Sequence, residues 1–147
     1  MSPSARKTKN ELIKAYERFV PRELLKLLGE EDITQVRLGN QIETEMTILF
    51  SDIRGFTSIS EEMTPQQNYH FLNTYFSQME PEVRRLKGII DKYVGDAIMA
   101  LFPSSADNAL ECAVAMLNRL DTYNAARKET GDAPVRIGIG LNTGLCM

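Results

Sequence analysis

Ile89-Ile90-Asp91-Lys92-Tyr93-Val94-Gly95-Asp96-Ala97-Ile98-Met99-Ala100-Leu101-Phe102 holds two apolar runs, residues 89–94 and 97–102, with only Gly95-Asp96 between them. Strand formers on both sides of a two-residue Gly-Asp connection predict a β-hairpin. Pro103 stops the second strand, because it cannot donate to a ladder. Before the hairpin, Tyr69, Leu72, Phe76, Met79, Val83 and Leu86 fall at alternating spacings of three and four, one face of a helix packed on a core. Thr64-Pro65-Gln66-Gln67 starts that helix, with Thr64 as N-cap, Pro65 in the first helical position and Gln67 completing a capping box. Pro81 is expected to kink the helix or end it early, and Gly88 to terminate it. After the hairpin, Ala106, Ala109, Leu110, Ala113, Met116, Leu117 and Leu120 predict a second amphipathic helix ending near Ala126.

Further out, Met46, Ile48 and Phe50 belong to a run of strand formers at residues 45–52, read as a largely buried strand. Val135, Ile137, Ile139 and Leu141 alternate with Arg136, Gly138 and Gly140 in a final strand. The order strand, helix, strand, strand, helix, strand predicts an α+β sandwich, the ferredoxin-like βαββαβ arrangement with an antiparallel sheet and both helices on one face. Upstream, Leu12, Ala15, Tyr16 and Phe19, then Leu24, Leu25, Leu27 and Leu28, recur at helical spacing around Pro21, with Gly29 as a stop. This predicts two short helices. Residues 1–42 read as a helical connector that covers the core or joins it to an upstream partner, and residues 43–147 as the domain proper.

The 147 residues carry 17 Lys+Arg against 20 Asp+Glu, a net charge of −3, and 43% of them are hydrophobic. That is the composition of one soluble globular domain. Weak acidity argues against a general nucleic-acid binder, which needs a basic face to displace counterions. His70 stands alone, and Cys112 and Cys146 form no CxxC pair, so any metal must be held by oxygen. Two distant cysteines and no secretory signal point to a reducing compartment, with the cytoplasm expected. The longest apolar stretch, residues 97–102, is far short of the roughly 20 residues a membrane-spanning helix needs.

Topology draws two carboxylates together. A right-handed crossover makes the first two strands parallel, and the third returns between them. Asp52, closing the first strand, and Asp96, opening the third, then meet at one sheet edge, with Lys92 near the same rim. Two adjacent carboxylates repel unless a divalent cation lies between them, and Mg²⁺ is commonly held by one or two carboxylates plus substrate phosphates. On spacing alone, ordinary turn chemistry for both Asp residues is the simpler account. Arg54-Gly55-Phe56-Thr57-Ser58 adds a glycine turn into a short helix, whose free amides suit a phosphate. Gly138 to Gly144 does not fit a dinucleotide fingerprint, since its last glycine comes one residue late; its glycines read as close packing.

Three stretches together resemble the catalytic domain of class III adenylate and guanylate cyclases, most of all bacterial, especially cyanobacterial, adenylate cyclases. They are Thr47 to Thr57 (TILFSDIRGFT), Asp91 to Phe102 (DKYVGDAIMALF) and Arg136 to Gly144 (RIGIGLNTG), in the family's order. The resemblance implies that Asp52 and Asp96, with the backbone carbonyl of Ile53, bind two Mg²⁺ or Mn²⁺ ions. It implies backbone contacts from Gly55, Phe56 and Thr57 to the β- and γ-phosphates. Lys92 matches the position that selects adenine, where guanylate cyclases usually carry Glu. Lysine can donate to N1 of adenine but faces a donor at N1 of guanine. The implied reaction is conversion of ATP to 3′,5′-cyclic AMP and pyrophosphate in signal transduction, with an upstream sensor or regulatory domain.

Members of the family complete the site across a homodimer. The second adenine contact, and the Asn and Arg that stabilise the transferring phosphoryl group, follow the Asn-Thr-Gly stretch, and no position here matches them. A polypeptide of this extent is therefore expected to bind metal but to turn over ATP feebly or not at all. An inactive binding or dimerisation module and a guanylate cyclase are the alternatives. A diguanylate cyclase ranks low, because no Gly-Gly-Asp/Glu-Glu-Phe signature occupies the hairpin.

Overall fold

The computed structural model describes residues 22–30, 33–37, 39 and 41–147, of which Thr44–Cys146 form one compact unit and the remainder are grouped apart. In the upstream part, helix α1 spans Arg22–Leu27, and a 3₁₀ turn follows at Ile33–Gln35. Gly29 stops α1 as expected. Its φ is 73°, and the amides of Gly29 and Glu30 donate to the carbonyls of Lys26 and Leu25 in a Schellman pair. The preceding helix expected from Leu12 to Phe19 lies outside the described residues.

Thr44–Cys146 contains β1 (Thr44–Ile53), α2 (Phe56–Glu61), α3 (Pro65–Arg85), β2 (Ile89–Val94), β3 (Ala97–Phe102), α4 (Ala106–Glu129) and β4 (Ile137–Cys146). The sheet order is β2-β3-β1-β4 with every neighbouring pair antiparallel, the predicted arrangement. β1 is central. It pairs with β3 from Thr47↔Phe102 to Ser51↔Ile98, and with β4 over ten positions from Thr44↔Cys146 to Ile53↔Ile137. One sheet face packs on α3 and α4: Leu49, Ile53, Ile98, Ala100 and Phe102 share a single buried cluster with residues of both helices. The other face carries Ile48, Phe50, Met99 and Leu101, opposite α3 and α4.

The capping box at Thr64 and Gln67 forms as predicted, with hydrogen bonds of 3.2 and 2.9 Å. Three helical details differ from expectation. The buried face of α3 is Phe71, Tyr75, Met79 and Val83, at strict four-residue spacing, while Tyr69 is exposed and Leu72, Phe76 and Leu86 flank the core. In α4, likewise, Leu110 and Leu117 are exposed and Cys112 and Tyr123 are buried. The large aliphatics misplace both stripes, because Tyr75, Cys112 and Tyr123 take the inward positions. Second, α3 does not end early at Pro81. Met79 and Val83 are both fully buried, and their packing carries the helix past the missing donor. Third, α4 continues to Glu129, where Gly131 at φ 79° ends it.

Gly88 does not itself end α3. Lys87 takes the left-handed position, φ 63°, and the amides of Lys87 and Gly88 bond the carbonyls of Arg84 and Val83. Gly88 is required for space: a Cβ there would stand 2.6 Å from the Phe102 ring and 2.7 Å from Val83 Cγ1. Gly88→Ala is thus expected to destabilise the fold by about 1–3 kcal/mol through overpacking. Gly144→Ala, where no atom lies within 4 Å of the added methyl, is expected to change stability little. Urea unfolding of both variants checks this, and equal midpoints would contradict the packing role of Gly88.

Candidate functional site

The end of β1 and the β2–β3 turn converge on one rim. Val94 pairs with Ala97, so Gly95 and Asp96 alone make the turn, with Gly95 at φ 62°. The Ile53 amide then donates to Asp96 Oδ2 at 2.8 Å. This bond ties the turn to the last residue of β1 and places the Asp96 carboxylate beside the residue that follows Asp52. Asp52 is exposed on the open face and Asp96 is half-buried. Next along the chain, Gly55 adopts φ 69° and opens α2 without a side-chain cap. The first intrahelical bond runs from the Ile59 amide to Gly55 O, so the amides of Phe56, Thr57 and Ser58 have no acceptor within the helix. Phe56 is anchored by stacking on Phe71, with centroids 6.4 Å apart.

Lys92 reaches the open face by a device that sequence patterning does not reveal. Ile90 pairs with Ala100, but Lys92 pairs with Met99, leaving Asp91 as a bulge. A ladder continued from Ile90↔Ala100 without the bulge would pair Lys92 with Ile98 and turn it to the helices. With it, Lys92, Met99, Phe50 and Gly140 form one rung across the sheet. Tyr93 turns to the helix side, where its ring lies 4.3 Å from that of Phe76. Lys92 Nζ is 3.2 Å from Asp91 Oδ2, an exposed pair that holds the ammonium at the surface. Phe50 is 43% exposed, and beside it Ile48, Gly140, Asn142, Gly144 and Leu145 line a hollow of about 400 Å³.

Of the expected donors, Asp96 is held at the Ile53 peptide by its hydrogen bond, and Asp52 is the residue before that peptide; all three would offer hard oxygens. That set suits Mg²⁺ or Mn²⁺ and leaves coordination positions for phosphate oxygens. Among the described residues, no group of three or more His, Cys, Asp or Glu side chains gathers to hold a metal. Burial pushes the Cys112 thiol up to about 12, so it remains protonated near neutrality.

Beneath the rim lie two groups the sequence did not single out. Ser51 and Tyr75 are fully buried, and neither hydroxyl has a hydrogen bond of good geometry. Burial raises the Tyr75 phenol to about 12; Asp96 and Asp52 add to the rise, and the nearby Ser51 hydroxyl offsets part of it. No periodicity marks Tyr75 as lying under Asp52 and Asp96, because that depends on helix rotation.

Residues 39–147 match the family described as the adenylate and guanylate cyclase catalytic domain. The chain is 41% identical to an adenylate cyclase of Anabaena cylindrica over 88% of its own length and 27% of the relative's. Among solved structures, the guanylyl cyclase Cya2 matches at 39% identity and a TM-score of 0.64, covering 71% of this chain and 56% of that one. The adenylyl cyclase CyaB from P. aeruginosa matches at 33% identity and 0.66, covering 71% and 58%. The fold and its rim define a nucleotide-cyclase type of domain. The chain belongs to the adenylate and guanylate cyclase catalytic domain family. It spans about a quarter of that Anabaena relative and rather more than half of those solved chains.

Folding favours the neutral Tyr75 phenol, since its folded value lies above the ordinary 10. Its contribution is fully present below pH 10 and is lost as the unfolded state deprotonates first, at about 1.4 kcal/mol per pH unit between roughly 10 and 12. Tyr75→Phe should be less sensitive in that window. Denaturant midpoints at pH 9 and 11 check this, and parallel losses in both proteins would contradict it.

Proposed function

We propose that residues 43–147 are the metal-binding part of an adenylate cyclase domain, which converts ATP to 3′,5′-cyclic AMP and pyrophosphate. Residues 1–42 would connect it to an upstream sensor or regulatory segment. The observation that supports the reading is the hydrogen bond from the Ile53 amide to Asp96 Oδ2, which holds that carboxylate beside the residue following Asp52. In this reading the two carboxylates and the Ile53 carbonyl hold two divalent cations. When bound, those ions lower the pKa of the ribose 3′-hydroxyl and neutralise the triphosphate.

The chain's own residues position the nucleotide. The Gly55 turn presents the Phe56 and Thr57 amides to the β- and γ-phosphates. Lys92 offers its ammonium to N1 of adenine, which accepts a hydrogen bond, whereas guanine N1 presents a donor. The 3′-oxygen loses its proton and bonds the α-phosphorus, while the bond from that phosphorus to the bridging oxygen breaks and pyrophosphate leaves. Phe50 and the adjoining hollow lie on the sheet face opposite α3 and α4, and a second copy of the domain would cover them in a homodimer. Charge neutralisation and positioning supply the rate, so groups that stabilise the transferring phosphoryl, worth about 10³–10⁵ for an arginine, would set its maximum.

In a cyclase containing this domain, assayed for cyclic AMP with Mn²⁺, Asp52→Asn and Asp96→Asn should each lower turnover by about 10² or more while circular dichroism stays unchanged. Retained activity in either variant sinks the two-metal assignment. Lys92→Glu should shift the ATP:GTP preference toward GTP, and an unaltered ratio would remove Lys92 from base selection.

A further inference from the structure

Arg54 sits next to the paired carboxylates, yet it is bonded to neither. Its main-chain amide donates to Arg136 O at 2.8 Å, extending the β1–β4 connection one step beyond Ile53↔Ile137. The side chain then folds back across β4. A Cβ built on Gly138 would stand 2.5 Å from Arg54 Nη2, 2.7 Å from Cζ and 2.8 Å from Nε. Three guanidinium atoms nearly equidistant from one point mean that the group lies flat on bare backbone. Gly138 is the Cα partner of Asp52, so the guanidinium rests one strand away from that carboxylate. Among the described residues, no ion pair, hydrogen bond or ring contact engages the Arg54 side chain.

A permanently charged, forked donor held by shape rather than by a carboxylate keeps its hydrogen-bonding edge available. Oxyanions fit that edge, and phosphate oxygens take it bidentately. The neighbouring Asp52 and Asp96 would repel an incoming polyphosphate, and a fixed cation beside them offsets part of that charge. We propose that Arg54 is a phosphate-binding residue of this site, receiving the triphosphate of the substrate and the departing pyrophosphate, with Gly138 as the seat that holds its guanidinium in place. The inference rests on the nucleotide-cyclase reading and extends it to a residue that the resemblance leaves without a role. It also explains Gly138 separately from its neighbours. A Cβ at Gly140 would meet nothing nearer than 3.9 Å, and one at Gly144 nothing within 4 Å.

The test is calorimetric titration of inorganic pyrophosphate into the protein with Mn²⁺ present, alongside titration of Mn²⁺ alone. Arg54→Ala should weaken pyrophosphate binding about tenfold or more. Gly138→Ala keeps the arginine but fills its seat, displacing only the end of a flexible side chain, and should weaken binding severalfold in a folded protein. Arg54→Lys should recover part of the loss, as a point charge without the fork. Arg119→Ala, on the exposed surface of α4, should bind as the parent does. Unchanged pyrophosphate affinity in both Arg54→Ala and Gly138→Ala, with binding still lost in Asp52→Ala, overturns the role of Arg54 alone. Absence of pyrophosphate binding to the parent protein at saturating Mn²⁺ overturns the nucleotide-cyclase reading as well.

Discussion

A main-chain amide at the end of β1 bonds a side chain instead of a neighbouring strand. The Ile53 amide donates to Asp96 Oδ2 at 2.8 Å, just past the last β1–β3 pair, Ser51↔Ile98. The bond satisfies a donor that would otherwise be left at the rim, and it fixes the hairpin turn against β1. The Asp96 carboxylate is thereby held beside the residue that follows Asp52. Glycine at position 95 lets the two-residue turn close with a positive φ, and glycine at 55 reverses the chain at once into α2. Carboxylates, turn amides and Arg54 consequently gather within a few residues of one hydrogen bond.

Much of this was legible in the sequence, because it rests on local chemistry and chirality. The hairpin at residues 89–102, the capping box at Thr64, and the approach of the Asp96 turn to the end of β1 all follow from turn residues, capping geometry and the handedness of a crossover. What was not legible depends on offsets of a single residue. Counting alternate positions back from Gly95 puts Lys92 on a definite side of a regular strand, but the Asp91 bulge decides which side of β2 it shares with its neighbours farther up. The face of α3 was misjudged because Tyr75 outcompetes Leu72 and Phe76 for the deepest position. Gly88 carried the signal of a helix stop, whereas the stop is Lys87 and the glycine answers to Phe102 across the core. Arg54 was read only as part of a turn, since its seat at Gly138 lies on the other end of the chain and comes within reach only through β1–β4 pairing.

The two faces of the sheet divide the work. On the helix side, Leu49, Ile53, Ile98, Ala100 and Phe102 meet α3 and α4 in one cluster, and the Asn124 side chain clamps Val135 through two bonds of 2.8 Å, fixing the entry to β4. On the open side, Phe50 and Met99 share a rung with Lys92, with Ile48 beside them, and Phe50 is left 43% exposed. An exposed apolar patch next to charged groups is the usual mark of a surface that binds something. Stability is therefore supplied by residues that chemistry does not need, and the site can carry charges that a packed face would reject.

Tyr75 and Ser51 show where the two faces meet. Both hydroxyls are buried on the helix side, within the field of Asp52 and Asp96, and neither has a good partner. A buried hydroxyl without a partner is costly, about 1–3 kcal/mol, so a purely structural requirement would favour Phe and Ala. These polar groups sit within the field of Asp52 and Asp96, which adds to the rise at Tyr75, and a dipole left free to orient follows a change of charge beside it. A wholly apolar backing would penalise the doubly ionised pair, and one with every hydrogen bond already committed could not respond. Behind the end of β1, then, the packing that holds Ile53 in place includes the polar atoms of Ser51 and Tyr75.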